Sequence, residues 1–225
     1  MTVRERIFQH FFLLIPSPMK VSNKVIIVTA QVISLVFAPF YLPVVAFLVL
    51  FFYSYMSYMP WTYNVQIIFM VYCFTVVLPR FGIYLYRKIN GWTSHQLGKR
   101  ERRIVPYFIS ILCYAGLLIL MNHLRMPRFT MGLILAALAV QITCAIANSW
   151  IKVSTHAAAS GGTIGILMAF SLIFHFDPTF PLCICILLNG FVCSSRLILR
   201  QHSLTDLGLG TLIGIICGFF SIILV

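Results

Sequence analysis

Apolar residues fall along this chain in long blocks separated by short polar breaks, with no strand-like alternation. The blocks cover residues 24–58, 64–86, 107–122, 129–150, 157–176, 180–198 and 204–225. A helix needs about 20 apolar residues to cross a bilayer, and a chain in lipid must satisfy its own backbone hydrogen bonds. The pattern therefore predicts an all-α, polytopic transmembrane helical bundle of about six to eight spans. The block at 24–58 contains Pro39 and Pro43, so it is either one kinked span or a tight pair of short ones. No tandem repeat breaks the chain, and residues 1–225 read as a single domain. The start, MTVRERIFQHFFLLIPSPMK, is basic, then briefly apolar, without a small-residue cleavage site. Residues 1–23 are therefore expected to form an interfacial amphipathic segment rather than a signal peptide.

The polar breaks carry the candidate chemistry. The longest is NGWTSHQLGKRERRIVP, residues 90–106, and shorter ones fall at MNHLRMPR, KVST, HFDPTFP and LRQHS. Two blocks separate the 99–106 stretch from Lys152–His156, and two more separate that from Arg196–His202. An even number of crossings returns the chain to the same face. Three distant clusters can thus meet at one end of the bundle, the geometry a composite active site would need.

Composition sharpens this picture. Hydrophobic residues make up 61% of the 225 positions and charged residues 9%, against roughly 25% charged in a soluble domain. Sixteen Lys and Arg face only Glu5, Glu101, Asp177 and Asp206, a net charge of +12. Such a balance fits nucleic acid, an anionic membrane surface or an anionic substrate. Magnesium and two-metal phosphate chemistry relies on clustered carboxylates, and four scattered acids argue against it. The seven cysteines sit inside apolar blocks without zinc spacing and read as small buried hydrophobes.

In SRLILRQHSLTD, Ser195 to Asp206, a helix running from His202 would set Asp206 on the same face four residues on. A carboxylate on one ring nitrogen fixes the tautomer and leaves the other as nucleophile or base. Arg196 offers a planar fork of donors suited to phosphate. In KVSTHAAASGG, residues Ser154, Thr155 and His156 open a helix, where free amides favour an anion. Lys152 stands just before them, either touching phosphate or snorkelling. The third cluster, KRERRIVP, holds Lys99, Arg100, Arg102 and Arg103.

These clusters resemble the type-2 phosphatidic acid phosphatase superfamily, and in particular a short bacterial branch of its membrane lipid phosphatases. The superfamily carries KxxxxxxRP, PSGH and SRxxxxxHxxxD in that order. Ser195, Arg196, His202 and Asp206 match the third motif in full. Ser154 and His156 match the second, with Val153 in place of proline and Thr155 in place of glycine. The first is loose: Lys99 lies seven residues before Pro106, and no arginine directly precedes that proline.

The resemblance covers about residues 85–220, which would form the catalytic core, and implies a metal- and cofactor-independent lipid phosphatase. His202 would attack phosphorus to give a phosphohistidine, Asp206 would hold its ring, and His156 would protonate the leaving oxygen. Lys99, Arg103 or Arg102, Arg196 and Ser154 would bind the phosphate oxygens, with Thr155 and Lys152 as further candidates. Substrates implied are undecaprenyl pyrophosphate, phosphatidylglycerophosphate, phosphatidic acid or lipid A phosphates. A phospho-headgroup transferase and a non-catalytic anionic-lipid transporter are the alternatives. The partners are then the bilayer and a lipid phosphate, and nucleic acid drops out. The family resemblance favours a bacterial inner membrane with the site on the periplasmic side, whereas Arg87, Lys88, Arg100 and Arg200 favour the cytoplasm by the positive-inside rule.

Other features carry structural expectations. Tyr53, Tyr55, Tyr58, Trp61 and Tyr63 read as an aromatic belt, and Asp177 before Pro178 as a turn residue. His10, His95, His123 and His175 read as interfacial. Gly210, Gly214 and Gly218 predict close helix packing inside the bundle that anchors the catalytic end.

Overall fold

The computed structural model describes residues 22–53, 55–91 and 104–225, and these are helical nearly throughout. The helices are α1 (Ser22–Val36), α2 (Leu42–Tyr53), α3 (Trp61–Tyr72), α4 (Leu78–Asn90), α5 (Ile104–His123), α6 (Arg128–Trp150), α7 (Thr155–Phe174), α8 (Thr179–Ile198) and α9 (Leu204–Ile223). Among the described residues, six helices are long and apolar enough to cross a membrane, with α3 and α4 counting together as Trp61–Asn90. The fold is a helical transmembrane bundle. The expected interfacial segment, apart from the start of α1 at Ser22, lies outside the described residues.

Residues 24–58 form two short helices rather than one kinked span. At 1.5 Å per residue, α1 and α2 are about 22 and 18 Å long, short of the roughly 30 Å hydrocarbon core. They diverge from the turn at Pro39. The first lies along α8, while the second packs against α3, α6 and α7.

The next span runs from Trp61 to Asn90, longer than the expected 64–86, and contains a π turn at Cys73–Val77. Pro79 accounts for the turn: it has no N–H, and its ring collides with the carbonyl four residues back, at Thr75. Widening the helix there absorbs the collision, while Thr75 Oγ1 donates to the Val71 carbonyl at 2.8 Å. Gly91, at φ 64°, closes the helix in the left-handed conformation. Tyr58 and Trp61, from the expected belt, are largely exposed.

The bundle centre is the contact between α7 and α9. An added Cβ at Gly161 would lie 2.5 Å from the Thr211 carbonyl oxygen, and one at Gly210 would lie 2.6 Å from that of Ser154. At Gly165, Gly214 and Gly218 it would meet the carbonyls of Ile215, Ala158 and Gly162 closer still. The two backbones therefore touch, and the glycine stripe packs inside the bundle as the spacing predicts. Lipid tails are as apolar as leucine, so van der Waals contact between small residues, not hydrophobic exclusion, holds such a pair.

Gly214→Ala is expected to destabilise the detergent-solubilised protein by about 1–3 kcal/mol through overpacking. Gly208, whose added Cβ would meet nothing within 4 Å, is the control, and Gly208→Ala should stay within about 0.5 kcal/mol of wild type. Equal shifts in melting temperature for the two variants would contradict this packing.

Candidate active site

The site is built where α7 and α9 begin. After α6 ends at Trp150, the chain runs extended to Ser154, which caps α7: its Oγ accepts from the Ala157 N–H at 3.4 Å. Ser154 is fully buried, and its own N–H donates to the Asp206 carbonyl at 3.2 Å. That bond ties the second sequence cluster directly to the third. Lys152 Nζ adds a parallel tie by donating to the Gln201 carbonyl at 2.7 Å. The ammonium thus staples one connection to the next, with two further N–H donors left for other contacts.

The third cluster folds through a sharp reversal. The Gln201 N–H returns to the Arg196 carbonyl, with Arg200 left-handed at φ 52°. This closes α8 in the way a glycine usually does, at the cost of about 1–2 kcal/mol for a side chain in that region. Ser203 and Asp206 then form a reciprocal capping box: Ser203 N–H donates to Asp206 Oδ2 at 3.0 Å, and Asp206 N–H to Ser203 Oγ at 3.2 Å.

Here the structure corrects one expectation. Helix α9 starts at Leu204, so His202 and Asp206 are not placed together by a continuous helix. The imidazole instead folds over the capped end, with Nδ1 3.5 Å from Asp206 Oδ2. The outcome is the expected pair, reached through the cap. One carboxylate oxygen thus serves both the helix start and the histidine. The His202 side chain is 3% exposed.

His156 and Arg196 complete the cluster. His156 is hydrogen-bonded to the backbone of Ser34 and lies within electrostatic reach of Arg196 and His202. Its Nδ1 is buried without a hydrogen-bond partner among the described residues. Arg196 Nη1 donates to Ser34 Oγ at 2.7 Å. Ser34, near the end of α1, was not singled out from sequence: it is one hydroxyl in the run QVISLVF, where only the fold shows its neighbours.

The remaining candidates divide. Thr155 lines a crevice between α2, α5, α6 and α7, together with Tyr114 and Gln141. Lys99, Arg102 and Arg103 lie outside the described residues. Helix α5 reaches this end of the bundle, since Tyr107 packs with Val153 and Ala158. Beneath His156, the single O–H of Ser160 donates to Asn189 Oδ1 at 2.7 Å, with the His156 carbonyl 3.0 Å away as its alternative acceptor. Asn189 was likewise not anticipated. Asp177 holds the start of α8, accepting from Thr179 N–H and Oγ1, which is the turn role the sequence suggested.

Chemically, the cluster offers one carboxylate-oriented imidazole, a second imidazole with an unpaired nitrogen, and a guanidinium, where α7 and α9 begin and α8 ends. Comparison with protein-family models, curated proteins and solved structures gives no match.

The Arg196–Ser34 bond is testable without assuming an activity. A double-mutant cycle of Ser34→Ala and Arg196→Gln, followed by thermal denaturation, should show a coupling of about 1–3 kcal/mol, as for hydrogen bonds to charged groups. Additive effects would remove the bond from the account.

Proposed function

We propose that this protein is a metal-independent membrane lipid phosphatase that works through a phosphohistidine. One observation carries the reading: His156 meets Arg196, His202 and Asp206, from a second, distant stretch of the sequence, at one end of a transmembrane bundle. A site embedded in the bundle suits a substrate whose hydrocarbon tail stays in lipid, such as phosphatidic acid, phosphatidylglycerophosphate, undecaprenyl pyrophosphate or a lipid A phosphate.

In the proposed reaction, Asp206 holds His202 through Nδ1, so Nε2 attacks phosphorus. The bond to the lipid oxygen breaks as the N–P bond forms, and His156 gives that oxygen its proton. Burying an unpaired imidazole nitrogen costs about 1–3 kcal/mol. The bridging oxygen of a bound substrate supplies the partner that His156 Nδ1 lacks. Water then attacks the phosphohistidine, giving up a proton to His156, and inorganic phosphate leaves. Arg196 neutralises the equatorial oxygens as charge develops, joined by the amides at the start of α7, Ser154, Thr155, Lys152, and Lys99 with Arg103 or Arg102.

The membrane assigned in this proposal is a bacterial inner membrane, with the site on its periplasmic side. The two short helices before α3 support that side when the N-terminus is cytoplasmic. A cysteine introduced by Gln201→Cys, in a background lacking the native cysteines, should react with a membrane-impermeant maleimide in intact cells. Labelling only after permeabilisation would move the site to the cytoplasmic face.

The activity itself is read by phosphate release from lipid phosphates in detergent, with EDTA present. His202→Ala should lower kcat by at least about 10³-fold. His156→Ala should lower it by about 10²–10⁴-fold. Activity lost to EDTA, or retained after His202→Ala in a folded protein, would sink the mechanism. Transfer of phosphate to an added alcohol in preference to water would replace hydrolysis with headgroup transfer.

A further inference from the structure

Helix α9 packs on α6 and α7 and treats α7 and α8 differently. Against α7 its backbone is in contact, glycine to carbonyl. Against α8 it leaves an open groove of about 410 Å³, lined by Leu204, Leu207, Gly208, Leu212 and Ile215 of α9 and by Cys193 of α8. This volume falls within the range of roughly 300–1,000 Å³ usual for small-molecule sites.

Three features point to its occupant. The first is continuity with the cluster: the groove starts at Leu204, two residues after His202, and Cys193 lies one helical turn below Arg196 on α8. The second is length. From Leu204 to Ile215, at 1.5 Å per residue, it runs about 16 Å, close to half of the roughly 30 Å hydrocarbon core, which is one leaflet. The third is polarity: its walls are apolar, and the two polar groups along it, Cys193 Sγ and Thr211 Oγ1, lie 3.9 Å apart and can satisfy each other. Gly208 leaves the wall bare at the end nearest the cluster, since a Cβ there would meet nothing within 4 Å.

We infer that the α8–α9 groove holds the hydrocarbon chain of a lipid phosphate whose headgroup lies at Arg196 and His202. The inference rests on the phosphatase reading for the headgroup, and it adds where the chain lies and which residues measure it. Phosphate and chain are joined covalently, so a groove beginning beside the cluster sets both depth and direction. The chain enters sideways from the leaflet that faces the site and never leaves hydrocarbon.

Two measurements test this. Gly208→Trp should fill the groove and lower the ratio of kcat/KM for dioleoyl phosphatidic acid to that for glycerol 3-phosphate by about tenfold or more. An unchanged ratio would overturn the inference and leave the phosphatase reading intact. The second measurement needs no turnover: Leu212→Trp combined with His202→Ala places an indole in the groove of a protein unable to form the phosphohistidine. In phosphatidylcholine vesicles, chain-brominated phosphatidic acid should quench the added fluorescence at least about twofold more than the same fraction of chain-brominated phosphatidylcholine. Equal quenching by the two lipids would show that the groove does not select a lipid phosphate. Selective quenching without hydrolysis by the wild type would keep the groove and remove the phosphatase.

Discussion

The backbone-to-backbone contact of α7 and α9 is the constraint on which the site depends. Gly210, Gly214 and Gly218 sit over the carbonyls of Ser154, Ala158 and Gly162, a constant offset that makes the helices parallel and fixes their register. Because they are parallel, both N-termini lie at the same end. The Ser154 N–H can then reach the Asp206 carbonyl, and the two caps become neighbours. Two aligned helix starts concentrate partial positive charge, which is unfavourable in a low-dielectric setting unless an anion lies near. Asp206 supplies one.

That single carboxylate has an unusual load. Its oxygen closes the capping box and faces the His202 ring, while its backbone carbonyl accepts the bond from α7. The other described acid, Asp177, is taken up by Thr179 at the start of α8. Scarcity of acid in this chain therefore does not mean diffuse positive charge. It leaves one anion to organise two helix starts and a histidine, so replacing Asp206 would disturb the fold of the corner as well as the ring it orients.

Much of this was legible in the sequence. Apolar length marks the six long helices because a bilayer imposes it on any chain, and crossing parity alone brings Lys152–His156 and Arg196–His202 to one end. What escaped were features decided by non-local or backbone geometry. Arg200 takes a left-handed position where a glycine signal would be expected, so the sharp turn after α8 leaves no mark. Ser34 is one polar residue in an apolar run, and its value comes from two partners on α7 and α8. The π turn follows from Pro79, but a proline in a span predicts a disturbance without saying whether the helix kinks or widens. The pairing of His202 with Asp206 was anticipated, whereas the cap that produces it was not.

The same glycines explain the asymmetry of α9. A helix whose small residues are committed to one neighbour must turn its larger ones, Leu204, Leu212 and Ile215 among them, elsewhere. Helix α8 cannot follow it inward, because Asn189 ties it to Ser160 of α7 and Arg196 ties it to Ser34 of α1. The groove between α8 and α9 is thus a consequence of how the corner is braced. Rigidity on the α7 side and openness on the α8 side come from one arrangement, in which the residues that align the polar cluster also leave an apolar path from its edge into the bilayer.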